Sequence, residues 1–247
     1  MRKTVFATAF AAIAAIPGLA AADGSPVTGN MAIVSDYRFR GISQTFDQPA
    51  IQGGIDYTHS SGFYLGNWDS NVSGLTYNNG SMEMDFYGGF RFNAGPVGLD
   101  VGFLQYYYPN AKLANGDKYD TQEIYGAASW KWFTLKYSST ITDFFGVTAP
   151  GIDSKGSGYI DLSASFEIAP KLTVVGHVGQ QKVKNFSSLD YTDYKVGLSY
   201  DLNGWALGAA YIDTDASDPF YSMASDNSGK VKDLGKGTVV VSVSKTF

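Results

Sequence analysis

The stretch Ser35–Ser43 reads SDYRFRGIS and sets Asp36, Arg38 and Arg40 two residues apart, with Tyr37 and Phe39 between them. In an extended chain that spacing puts three charges on one face and two aromatics on the other. Such a charged face can steer, select or bind ions. The same spacing recurs in Glu83 and Asp85 ahead of Arg91, and in Asp193 and Lys195. Nucleophilic catalysis finds little material. The chain has no cysteine and two histidines. His59 falls in a short turn, and His177 falls on a polar face without a serine placed to form a dyad. Without a nucleophile–base pair, no enzyme is expected. The run Asp213–Ser217, DTDAS, opens like a calcium loop. It has Asp218 where the loop needs glycine and Ala224 where it needs glutamate, so it reads as a solvated acidic loop and no metal site is expected. The remaining glycine pairs precede no helix and do not form a phosphate cradle.

The elements that must carry these charges alternate with period two from residue 31 onward. Met82, Met84, Phe86, Phe90 and Phe92 oppose Glu83, Asp85, Tyr87 and Arg91. Ile160, Leu162, Ala164, Phe166 and Ile168 oppose Asp161, Ser163, Ser165 and Glu167. Short breaks at 59–62, 93–96, 131–132, 169–170 and 203–204 alternate with long polar ones at 41–50, 70–80, 109–120, 142–158, 182–189 and 213–237. Asn203-Gly204 is a two-residue hairpin signal. The spacing predicts twelve strands: 31–41, 50–59, 62–70, 81–93, 97–107, 121–131, 132–142, 158–168, 171–182, 190–202, 204–213 and 238–247. Short turns at one end and long loops at the other, with an even strand count, predict an all-β, antiparallel, up-and-down transmembrane barrel. In that setting Tyr37 and Phe39 meet lipid, and Asp36, Arg38 and Arg40 meet a polar lumen.

Composition agrees. Charged residues are 17%, aromatics 15%, and glycine numbers 29. A net charge of −5 argues against a nucleic-acid surface. MRK, an apolar run broken at Pro17-Gly18, and the small residues Ala20–Ala22 read as a signal peptide over 1–22. The barrel then occupies 23–247, and loss of Arg2 and Lys3 takes the charge from −5 to −7. No other segment could cross a bilayer as a helix, which leaves a closed barrel as the spanning structure.

The last strand, TVVVSVSKTF, ends on Phe247 and looks like the C-terminal strand read by the barrel-assembly machinery. Lys245 departs from that pattern, but near the interface a lipid-facing lysine costs only ~0–1 kcal/mol. Trp130, Trp132, Trp205, Tyr57, Phe63 and Tyr64 flank short turns, as an aromatic girdle would. Trp68, Tyr106–Tyr108, Phe144 and Phe145 are expected in the opposite girdle. The lumen or constriction candidates are Asp36, Arg38, Arg40, Asp56, Asp69, Glu83, Asp85, Arg91, Glu123, Lys136, Asp161 and Lys195. Glu83, Asp85 and Arg91 are the expected partners of Arg38 and Arg40. Acids outnumber bases, which predicts a weakly cation-favouring interior. The same charges could instead pair across strands and fill the barrel.

Residues 35–72 carry a resemblance. The run 35–43, the Gln48-Pro49-Ala50 step, Gly53-Gly54 with Asp56-Tyr57, and Gly66–Trp68 with Asn71-Val72 resemble the N-terminal hallmark of the TorF family of porins. That family is also catalogued as a Gcw-type bacterial family of unknown function. The resemblance implies an outer-membrane barrel with channel function and supplies neither substrate nor catalytic residues. The expectation is a porin-type channel for passive diffusion of small hydrophilic solutes, without a cofactor, in the bacterial outer membrane. The alternative is a closed structural or surface-recognition barrel whose long loops bind a partner. A soluble periplasmic barrel conflicts with the outward aromatics and Phe247.

Overall fold

The computed structural model describes residues 25–224 and 231–247. The expected leader over 1–22 lies outside the described residues. In chain order the strands are β1 (Val27–Val34), β2 (Arg38–Phe39), β3 (Ile42–Ser43), β4 (Ala50–Thr58), β5 (Phe63–Asn71), β6 (Met82–Ala94), β7 (Val97–Tyr107) and β8 (Thr121–Trp130). They continue as β9 (Phe133–Thr140), β10 (Gly158–Ala169), β11 (Leu172–Lys182), β12 (Tyr191–Leu202), β13 (Trp205–Thr214), β14 (Ser222–Ala224), β15 (Val231–Asp233) and β16 (Thr238–Thr246). Twelve of them form a closed antiparallel barrel in the order β1-β16-β13-β12-β11-β10-β9-β8-β7-β6-β5-β4. β1 closes the wall, pairing Asn30 with Thr246 through Val34 with Ser242, and on its other edge Val27 with Tyr57 through Val34 with Ala50. Closure pairs both edges of every wall strand.

The alternation read from the sequence becomes the two faces of this wall. Ile51 is 69% exposed and its neighbour Gln52 2%. Outward positions such as Ile55, Phe90, Val101, Leu162, Val196 and Val241 are exposed and apolar. Inward positions are small or polar, such as Ser138, Thr173, Ser199 and Ser244. Asn203 and Gly204 both have positive φ, 54° and 88°, as a tight hairpin turn requires. Trp130, Trp132, Trp205 and Phe63 are exposed at the short-turn end. Lys245 faces outward too, its ammonium 5.1 Å from the Trp205 ring and 5.4 Å from Phe247.

The first strand differs from expectation. It runs over 27–34, not 31–41. At Ser35, whose N–H still donates to Val241 O, the chain leaves the wall and turns into the barrel. Residues 36–46 are buried throughout except half-buried Phe39. β2 and β3 form a hairpin with Arg40 and Gly41 at its tip, φ 46° and 82°. Tyr37 and Phe39 therefore meet the barrel interior, not lipid. Tyr37 packs edge-on against Trp68, and Phe39 against Tyr106 and Phe145. The expected outer girdle is largely inside as well. Trp68, Tyr106, Tyr108, Phe144 and Phe145 join the core around the hairpin, while Tyr107 alone of that group is exposed. Tyr64, expected in the other girdle, is also buried inward.

Candidate functional site

The interior site begins with the hairpin's own charges. Asp36 Oδ1 accepts from Ser43 Oγ at 2.6 Å and Thr45 Oγ1 at 3.1 Å, which ties the two hairpin strands together. Arg38 pairs with Asp36 and, at 2.9 Å, with Asp47. Its Nη1 also donates to Leu234 O at 2.7 Å and Lys236 O at 3.1 Å. Those carbonyls belong to the loop between β15 and β16, so Arg38 fastens the hairpin to the far end of the chain. Lys232 from the same region reaches Asp47 at 2.9 Å and Phe46 O at 3.0 Å.

Arg40 at the tip crosses to the opposite wall. Its Nη2 lies 2.8 Å from both Glu123 oxygens, and Nη1 2.7 Å from Gln181 Oε1. The guanidinium carbon stands 4.2 Å over the Tyr159 ring. Burial alone would lower its pKa, but the Glu123 carboxylate raises it further, so Arg40 stays charged. A Cβ at position 41 would overlap Thr214 Cγ2 and lie 2.9 Å from Asp193 Cβ, so glycine is needed where the tip touches the wall.

Beyond the tip, His177 sits between two carboxylates. Nδ1 contacts Asp161 Oδ2, and Nε2 lies 2.8 Å from Asp193 Oδ2. Asp193 Oδ1 accepts from Tyr159 OH at 2.9 Å. Gly179 leaves the room that this tyrosine's hydroxyl occupies. Lys195 is the register neighbour of His177 on β12. Lys136 places its ammonium 4.1 Å over the Tyr125 ring. Toward the short-turn end, Arg91 pairs with Asp100 at 3.0 Å, Tyr64 OH donates to Asp100 at 2.6 Å, and Tyr87 OH donates to Asp56 at 2.6 Å.

Eleven of the twelve candidates thus face the interior. Asp69 does not. β5 turns Tyr64, Gly66, Trp68 and Ser70 inward, and Asp69 sits on the outer face opposite Gly53 and Met84, accepting from Asn67 Nδ2 at 2.9 Å. The expected pairing is also different. Arg38 and Arg40 take Asp36, Asp47 and Glu123, while Arg91 takes Asp100. Glu83 takes no basic partner; the Tyr108 hydroxyl bonds to it, and Tyr37 OH donates to its Oε1 at 3.2 Å. Asp193, already on a charged face with Lys195 in the sequence, joins the network, and Asp47, Gln181 and Tyr159, which were not among the candidates, complete it. Parity marks Gln181, Asp193 and Tyr159 as inward. In the loop after β13, Tyr221 is buried and donates to Leu189 O at 2.7 Å.

A closed twelve-stranded barrel with an apolar exterior and a charged interior defines the class. The chain belongs to the Gcw_chp family, described as a bacterial protein of unknown function, whose sequence profile matches residues 19–247. Comparison with curated proteins finds no match. Among solved structures the barrel is similar to the KdgM porin in complex with disordered oligogalacturonate, with a TM-score of 0.53 at 8% identity over 90% of this chain and 98% of that one. A NanC porin gives 0.52 at 10% identity, covering 90% and 98%. At such identities the likeness establishes the fold.

Proposed function

We propose that the protein is a porin-type channel of the bacterial outer membrane, passing small hydrophilic solutes by diffusion and weakly favouring cations. The carrying observation is the wall itself: closed, apolar outside, and polar and charged inside. Only a barrel of that kind satisfies all backbone groups in lipid while keeping a wet interior. The likeness to the TorF porins over 35–72 and the fold shared with the KdgM and NanC porins support the same reading. On this reading the long loops face outward from the cell, and the strand ending in Phe247 is the one the assembly machinery reads. The KdgM porin is seen with oligogalacturonate, a polyanion. Here Asp56, Glu83 and Asp85 are interior carboxylates without an ion pair among the described residues, which supports the opposite charge preference.

The buried hairpin supports a second reading, a barrel closed by residues 35–49 whose long loops recognise a partner. One experiment separates the two. Val34 and Ala50 are register partners across β1 and β4, so residues 35–49 can be replaced by a short Asn-Gly turn without moving the wall. The channel reading expects discrete conductance steps from the wild type in planar bilayers and larger ones from the shortened variant. A folded wild type that never conducts, beside a conducting variant, would overturn the channel reading in favour of the closed barrel.

A further inference from the structure

Glu83 and Asp85 are successive inward residues of β6, 0% and 8% exposed. Among the described residues neither forms an ion pair. Glu83 Oε2 and Asp85 Oδ1 have no hydrogen-bond partner. Glu123, another buried interior carboxylate, is taken by Arg40. A third acceptor lies in the same row as Glu83, two strands away. Gln52 is 2% exposed on the inner face of β4, and its Oε1 is likewise unpartnered. Register places Gln52 opposite Ser70, and Ser70 opposite Glu83, so the three strands carry an oxygen-bearing row across the inner wall. The unmet groups are all acceptors, and two of them are carboxylates. Buried carboxylates persist when they are paired or hold a cation.

We propose that Glu83 and Asp85, with Gln52 Oε1 from the same row, bind a hard cation inside the barrel. The donors are all oxygen, which suits calcium or a similar ion and not a thiolate- or imidazole-seeking metal. No group of three or more His, Cys, Asp or Glu side chains is placed to hold a metal among the described residues. The coordination therefore leans on neutral oxygens, Gln52 Oε1 and Ser70 Oγ, and on water, an irregular shell that calcium accepts. The ion would fasten β4–β6 to the hairpin, because Tyr37 donates to the same Glu83 carboxylate. The site does not depend on the channel reading, since binding is read directly and without conductance.

Terbium is the probe, with Tyr37 and Trp68 as antennas. Trp68 is the register partner of Asp85. The wild-type protein in detergent is expected to give saturable, aromatic-sensitised terbium emission that calcium displaces. The folded E83Q/D85N variant loses it, and Q52L binds about tenfold more weakly, the loss of a single ligand. Emission unchanged in the folded double variant, or none that saturates in the wild type, would overturn the site and leave the two carboxyls neutralised by protons. Should E83Q/D85N fail to fold, Q52L decides: unchanged affinity there excludes the proposed ligand set.

Discussion

At the residue scale, the hairpin is held by a few buried charges with specific partners. Arg40 and Glu123 are 3% and 2% exposed. Removing one partner strands the other charge in a poorly solvated site, so R40M is expected to cost about 3–5 kcal/mol, whereas R40M/E123L costs far less. Urea unfolding of the two variants, followed by heat-modifiable mobility on gels, checks this. The loop tyrosines give a pH dependence. Burial pushes the hydroxyls of Tyr37, Tyr77 and Tyr108 above their ordinary value of 10.0, and the charge of Glu83 adds to it. A folded-state pKa above the unfolded one means stabilisation that is complete below about pH 10 and is lost as pH rises toward the folded values. Trp68 fluorescence, reporting its contact with Tyr37, is expected to hold to about pH 10 and change above it, with the strand signal in circular dichroism persisting. Residue type misled one assignment at this scale. Asp69 reads as a lumen acid by its charge, yet outward Phe63 and Leu65 fix the parity of β5, and parity sends Asn67, Asp69 and Asn71 outward and Trp68 inward. The pleat decides the face; charge does not.

At the element scale, eleven of the twelve wall strands were legible because two independent signals coincide: alternation along each strand and the rhythm of short turns and long loops. The hairpin was not. SDYRFRGIS alternates with the same period in a wall strand and in a hairpin inside the barrel, because both have one polar and one aromatic side. What separates them is non-local: Val27–Val34 already spans the wall opposite Tyr57–Ala50. A local clue was Arg40-Gly41, since two successive positive-φ residues make the tight turn of a hairpin. That turn yields a prediction. G41A forces a left-handed alanine, costing about 1–2 kcal/mol, and adds the clash with Thr214 and Asp193. The hairpin should leave its seat while the wall stays closed. Limited trypsin digestion reads this: Arg38 and Arg40, 2% and 3% exposed, are expected to resist cleavage in the wild type and to be cut in G41A.

At the scale of the whole molecule, the two halves of the barrel differ in kind. Toward the long loops the interior is a packed aromatic core around the hairpin; toward the short turns it is lined by small polar residues and by the Asp56–Tyr87 and Arg91–Asp100 pairs. On the channel reading, this division makes the charge balance along the chain a poor guide to selectivity. Part of the interior charge is neutralised within the hairpin clamp and part by pairs such as Arg91–Asp100; on the channel reading a permeating ion would sense the remainder. Asp56, in no ion pair and half-buried near the short-turn end, and Lys136, 8% exposed beside Tyr125, pull in opposite directions. Under a KCl gradient the hairpin-free variant should therefore show a reversal potential favouring potassium. D56N is expected to reduce that preference and K136M to enlarge it, because a fixed charge in a confined pore biases entry of its counter-ion. Equal shifts in one direction from both substitutions would mean that selectivity arises at the loops, and not in the wall.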